Sequence, residues 1–177
     1  MAVDVDSVAR ALYRPLVFQL IHWFSKSDFY SGQETILLLD NCLNLVSESS
    51  GLVRDFAAEC LAEFLKYSIK QSTIQIQESS PLNAEALFNK MYSLCSHSSS
   101  SKRLAASLCF NRLYTTFREE EPLVDQFSLQ LLYNFLECLR LSHRDPIGSS
   151  MFFHEIVFLI LFSFPYLSSF FLICIIN

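Results

Sequence analysis

An all-α fold is what this 177-residue chain predicts: an α-solenoid of stacked helical pairs, followed by an apolar C-terminal tail. Three observations carry that expectation. First, two stretches 48 residues apart repeat one side-chain order, Arg54-x-Phe56-Ala57-Ala58-x-Cys60-Leu61-x-x-x-Leu65 and Lys102-x-Leu104-Ala105-Ala106-x-Leu108-Cys109-x-x-x-Leu113. A pair of small residues flanked at helical spacing by large apolar ones lets neighbouring helices approach closely, and the spacing is near the roughly 40–47-residue period of HEAT-type repeats. Chance sharing of an Ala-Ala pair by two amphipathic helices is the competing reading. Second, the chain has only three glycines and five prolines and contains no Asn-Gly or Asp-Gly hairpin signal. Third, apolar residues recur at i, i+4 along most of the body, the period of helices with one buried face. HEAT-like units bury their apolar faces only by stacking, so the pattern predicts a scaffold surface without a self-contained active site.

The elements follow in order. A first helix begins after Asp6-Ser7 and runs through Leu16, Leu20 and Phe24. Arg14-Pro15 interrupts it, and because proline is tolerated in a first turn but breaks an interior, two segments and one kinked helix both fit. Trp23 with His22 and Phe24 is expected to be core, with an exposed recognition patch as the alternative. After Ser31-Gly32, Ile36 to Val46 is apolar nearly all round, as in a helix buried between neighbours. Ser47 to Gly51 makes a turn. The next helix, about Leu52 to Ile69, places Phe56, Cys60 and Phe64 in one row with Leu61 and Leu65 beside it. Asp55, Glu59, Glu63, Lys66 and Lys70 turn away, and the glutamates have at most one useful cation downstream, so this run reads as a solvated face.

Gln71 to Ser80 is polar and Ser/Gln-rich, an exposed loop, and Pro81 sits where a helical first turn accepts it. Leu87, Phe88, Met91, Tyr92 and Cys95 stripe the following helix. Ser98 to Ser101 forms a serine-rich turn, read as solubilising rather than as a phosphorylation site. The second Ala-Ala helix spans about Lys102 to Phe117. Glu119-Glu120-Glu121 then lies at the N-terminus of another helix, where acids complement the helix dipole. Leu123, Phe127, Leu131 and Phe135 continue that helix to about Leu141.

Composition excludes several function classes. The net charge is -5 and no basic run exceeds Lys102-Arg103, so the chain lacks the footprint of a direct nucleic-acid site. Six cysteines carry no CxxC spacing and fall largely on apolar faces, which points to a reducing compartment, nucleus or cytosol. The N-terminus, with Asp4 and Asp6, does not resemble a secretory signal. His22, His97, His143 and His154 show no metal-ligand spacing, and no phosphate loop, GxSxG elbow or kinase signature occurs. No catalytic, cofactor-binding or metal residue is therefore assigned, and no cofactor is expected. The candidate residues are those of the repeat core: Phe56, Ala57, Ala58, Cys60, Leu61, Leu65, Leu104, Ala105, Ala106, Leu108, Cys109 and Leu113.

The tail changes character after Asp145-Pro146-Ile147-Gly148-Ser149-Ser150. All thirteen Lys and Arg precede it, and Ile156 to Ile176 is a run of 21 uncharged residues, long enough to cross a bilayer. Seven of the seventeen phenylalanines lie in the last 27 residues, with Leu, Ile, Ser, Tyr and Cys making up most of the rest. These are residues of pyrimidine-rich codons, so translation of normally non-coding, intron-like sequence is the leading reading, with a membrane anchor and a buried helix as alternatives. The organisation expected is a helical-repeat segment at 1–147 and an unrelated tail at 148–177.

Longer motifs carry a family resemblance. Leu12-Tyr13-Arg14-Pro15-Leu16, Gln19-Leu20-Ile21-His22-Trp23-Phe24, Arg54-Asp55-Phe56 and Glu63-Phe64-Leu65-Lys66-Tyr67-Ser68-Ile69-Lys70-Gln71 stand in the same order as in one family. So do Lys102-Arg103-Leu104-Ala105-Ala106-Ser107-Leu108, Phe117-Arg118-Glu119-Glu120-Glu121 and Leu123-Val124-Asp125-Gln126-Phe127. Over about residues 8 to 145 the chain resembles the phosphatidylinositol 3-kinase-related kinases, in the circular cradle of HEAT repeats ahead of the kinase domain of their DNA-activated branch. The resemblance implies a nuclear serine/threonine kinase recruited to DNA double-strand breaks through the Ku heterodimer, working in non-homologous end joining and V(D)J recombination. It implies neighbouring HEAT repeats as the direct partners, with Ku and DNA ends met through the longer protein. Catalytic residues of that family lie in a distant domain, so none is carried onto this chain. The rival expectation is a small single-pass membrane protein anchored through 156–176, and a third is a truncated product lacking the repeats that should cover its ends.

Overall fold

Two helices of this protein start on a side-chain cap, as a computed structural model of the chain shows. The structure describes residues 2, 6–26, 32–48, 50–71 and 82–143. The tail at 148–177, its uncharged run at 156–176, the boundary near 147, the Gln71–Ser80 loop beyond its first residue, and Pro81 lie outside the described residues. Six helices are present among those described, with no strand: α1 (Ser7–Phe24), α2 (Gln33–Leu45), α3 (Gly51–Gln71), α4 (Ala84–Cys95), α5 (Ser100–Glu119) and α6 (Glu121–Ser142). None of them is long and apolar enough to cross a membrane.

Asp6 caps α1, its carboxylate accepting from the Val8 N–H at 3.0 Å. That satisfies one of the four donors a helix start leaves open. Pro15 lies inside one helix, so the first segment is not split in two. It is exposed, so the ring and the forgone backbone bond face solvent. α4 begins one turn later than Pro81 suggested, because Asn83 is its cap: the Asn83 Oδ1 accepts from the Ala86 N–H at 2.7 Å. The acidic cluster straddles a helix junction, with Glu119 ending α5, Glu120 between, and Glu121-Pro122 opening α6. A proline in the first turn forgoes only an N–H that would be unpaired there, and Glu121 sits where the dipole favours an acid.

The chain divides into two compact units between Met91 and Tyr92. In the first, α3 is the centre, packed by α1 on one side and by α2 on another. Its core holds Leu39, Leu43, Val46, Leu61, Phe64 and Leu65. α2 is not buried all round as its composition suggested: Leu37 and Leu45 are exposed while Leu39, Cys42 and Leu43 are buried. In the second unit α5 packs along α6. Its core is aromatic, with Phe110 against Tyr92 at 5.5 Å and edge-on to Phe135 at 5.3 Å. Offset and edge-to-face arrangements of this kind add to simple burial of the rings.

Candidate functional site

The two Ala-Ala helices are α3 and α5, and their small residues are fully enclosed. Ala57, Ala58, Cys60, Leu61 and Leu65 are buried in the first copy, as are Ala105, Ala106, Cys109 and Leu113 in the second. The copies differ in one row. Phe56 is buried in α3, whereas Leu104 and Leu108, which stand where Phe56 and Cys60 stand in the first copy, are only half-buried in α5. The reason is α1. It lies over the Phe56 row, with Phe18 5.7 Å from Phe56 and the Arg14 guanidinium 4.8 Å above the same ring.

Polar contacts fix that docking and correct the expectation of a solvated face on α3. Glu59 accepts a hydrogen bond from the Arg14 guanidinium, and Glu63 Oε1 lies 2.8 Å from His22 Nε2. The His22 ring stacks on Tyr67 at 3.5 Å. The carboxylates of α3 therefore read the basic and aromatic edge of α1.

With Arg14, Phe18 and Ile21 turned to α3, the opposite side of α1 is fixed by the 3.6-residue period. That side carries Val8, Leu12, Leu16, Leu20 and Trp23, and it is open to solvent. Leu12 is 63% exposed and Trp23 46%. Trp23, expected in the core, instead ends an outward stripe beside Phe24. α6 repeats the arrangement. Leu123, Phe127, Leu131, Phe135 and Cys138 form its buried side, and Leu129, Tyr133 and Leu136 form an outward one, with Leu129 at 80% and Tyr133 at 69%. A helix apolar on two opposite faces is built to lie between two layers of neighbours.

One functional-looking group was not anticipated. Arg103, the second residue of the basic pair Lys102-Arg103, is 3% exposed. It donates to the carbonyls of His97 at 2.6 Å and Ser98 at 2.9 Å, and its Nε donates to Ser142 Oγ at 3.3 Å. It thus ties the α4–α5 turn to the end of α6. Among the described residues, no three His, Cys, Asp or Glu side chains converge as metal ligands.

Helical pairs with enclosed small residues and apolar outer faces define the class: a segment of an α-solenoid repeat protein. Within that class the sequence is similar to one family. The family model for the DNA-dependent protein kinase catalytic subunit, CC1/2, matches residues 1–150. Proteins bearing the name DNA-dependent protein kinase catalytic subunit are 49% identical over 152 residues in Canis lupus familiaris and 49% over 146 in Gallus gallus. Those alignments cover 84% and 82% of this chain. The Mus musculus relative is 47% identical over 146 residues, 82% of the chain. The chain belongs to the DNA-dependent protein kinase catalytic subunit family, within its CC1/2 region. It spans 4% of the length of each of these relatives.

Proposed function

We propose that this chain acts as a non-catalytic HEAT-repeat scaffold segment, a few repeats of the circular cradle of a nuclear DNA-dependent protein kinase that serves double-strand break repair by non-homologous end joining. The observation that carries the reading is the pair of opposed apolar faces on α1 and α6. In this reading the repeat at 1–147 stacks on neighbouring HEAT repeats through those faces, and it meets the Ku heterodimer and DNA ends only through the longer protein. The segment's work is mechanical. Each repeat contacts its neighbours alone, so displacement at one end is passed along the stack. Catalysis belongs to another domain of such a kinase, which agrees with a match confined to the CC1/2 region.

The test is a chimera in which residues 1–143 replace the matching segment of the mouse relative, assayed for DNA-stimulated peptide phosphorylation. Activity is expected to be kept, and to fall with Leu12→Asp, Leu16→Asp and Leu20→Asp together. Full activity with all three substitutions would defeat the stacking role.

A further inference from the structure

We propose that the outward faces of α1 and α6 also bind each other between copies of this chain, α6 of one copy lying on α1 of another. The proposal rests on the scaffold reading only in taking both faces as stacking surfaces. Its partner is different, because a second copy stands in for the neighbouring repeat. Each chain offers one face of either kind, so the contact is heterologous. Pairing of two copies leaves one α1 face and one α6 face unused, and association continues past the dimer unless a ring closes.

The two faces match in length and in apolar pattern. On α1 the exposed stripe runs from Val8 through Leu12, Leu16 and Leu20 to Trp23, about 23 Å at 1.5 Å per residue. On α6 the exposed residues Pro122, Gln126, Leu129, Tyr133, Leu136 and Arg140 follow at alternating steps of four and three, a straight row of about 27 Å. Its middle is apolar and its ends are polar, the order of an interface core and rim. Leu16 stands at the centre of the first stripe, and Leu129 and Tyr133 at the centre of the second. Laid together, the stripes withdraw from water apolar side chains that the single chain leaves exposed.

Charge selects unlike faces over like ones. α1 contains Arg10 and Arg14 and no acid between residues 7 and 24; Asp6, the nearest, is its cap, and Lys26 follows its end. α6 contains Glu121, Asp125 and Glu137 against one base, Arg140. With Arg14 bonded to Glu59 and Arg140 to Glu137, α1 still carries Arg10, and α6 still carries the exposed Glu121 and Asp125. Two α1 faces therefore bring bases together and two α6 faces bring acids together, whereas α6 on α1 brings acid to base. In the dilute chain both faces are open to solvent, and pairing is a concentration-dependent step.

Sedimentation velocity of the full chain over a concentration series tests the pairing. The average mass is expected to be that of one chain at the dilute end and to rise beyond that of a dimer as concentration increases. Leu16→Asp and Leu129→Asp, each placing a charge at the centre of one face, should each hold the chain as a monomer. Mixed in equal amounts, the two variants should form a one-to-one dimer and nothing larger, because one keeps its α6 face and the other its α1 face. Both positions are exposed, so each variant should keep the circular dichroism of the parent. Should either lose helix, Leu16→Cys and Leu129→Cys chains are mixed and oxidised instead; a disulfide joining the two variants at these positions is expected, and links only within each variant overturn the proposal. Association that survives either aspartate substitution, as pairing of like faces or of the apolar run at 156–176 would give, also overturns it. So does a mixture that stays monomeric. A chain monomeric at every concentration, beside a chimera that still loses activity with Leu12→Asp, Leu16→Asp and Leu20→Asp, overturns self-association alone and leaves the scaffold reading in place.

Discussion

Replacing Phe135 by alanine separates the two faces of α6 by energy. Phe135 is 1% exposed and lies edge-on to Phe110, with ring centroids 5.3 Å apart and planes at 82°. Phe110 in turn stacks on Tyr92, so the ring closes a three-membered aromatic stack. Truncating a buried phenylalanine removes its transfer energy and leaves a cavity, about 3–5 kcal/mol together. The lost edge-to-face contact accounts for about 0.5–1.5 kcal/mol in comparable pairs and places Phe135→Ala in the upper part of that range. Leu129, on the same helix, is the control: at 80% exposed its alanine variant should stay within about 0.5 kcal/mol of the parent. Urea unfolding followed by circular dichroism measures both in the isolated chain. A cost under about 1 kcal/mol for Phe135→Ala, or an equal cost for the two, would refute the face assignment, since core truncations rarely fall so low.

Three further outcomes are expected. Asn83→Ala removes the cap of α4 and should cost about 1 kcal/mol, whereas Ser99→Ala, at the start of α5 where no side-chain cap bond is made, should cost less by the same unfolding assay. The half-exposed Arg14–Glu59 pair should show a coupling of no more than about 1 kcal/mol in a double-mutant cycle, because solvent screens it. Glu137 is held below the usual carboxylate range by its hydrogen bonds from Arg140. A lowered folded-state value means that the pair's contribution is present above the unfolded carboxylate pKa and lost as pH falls through the folded one. A carbon-detected NMR titration should show this, with Arg140→Ala moving Glu137 up.

The helices and their buried faces were legible because periodicity is a local property. Phe56, Phe64, Phe127 and Phe135 recur at helical spacing whatever they touch. The polar face of α3 misled for the matching reason. A rule that looks four residues along one helix cannot find Arg14, 45 residues from Glu59, or His22, 41 residues from Glu63. Arg103 was illegible because its burial depends on carbonyls that a turn happens to present. Trp23 and Leu37 read as core by composition, but burial is decided by contacts distant in sequence, and both are exposed. Phe56 is covered by α1, a helix that the repeat pattern itself does not encode, whereas its counterpart Leu104 is half-buried.

The central claim is that the outward faces of α1 and α6 are interfaces between repeats. It is tested most directly by placing single cysteines at Leu16 and Leu129, in this chain and in the 1–143 chimera with the mouse relative, and comparing maleimide labelling rates by peptide mapping. The five buried native thiols provide a slow internal reference. Fast labelling at both positions in the isolated chain and strong protection in the chimera is the predicted result. Equal, fast labelling in both contexts would contradict it.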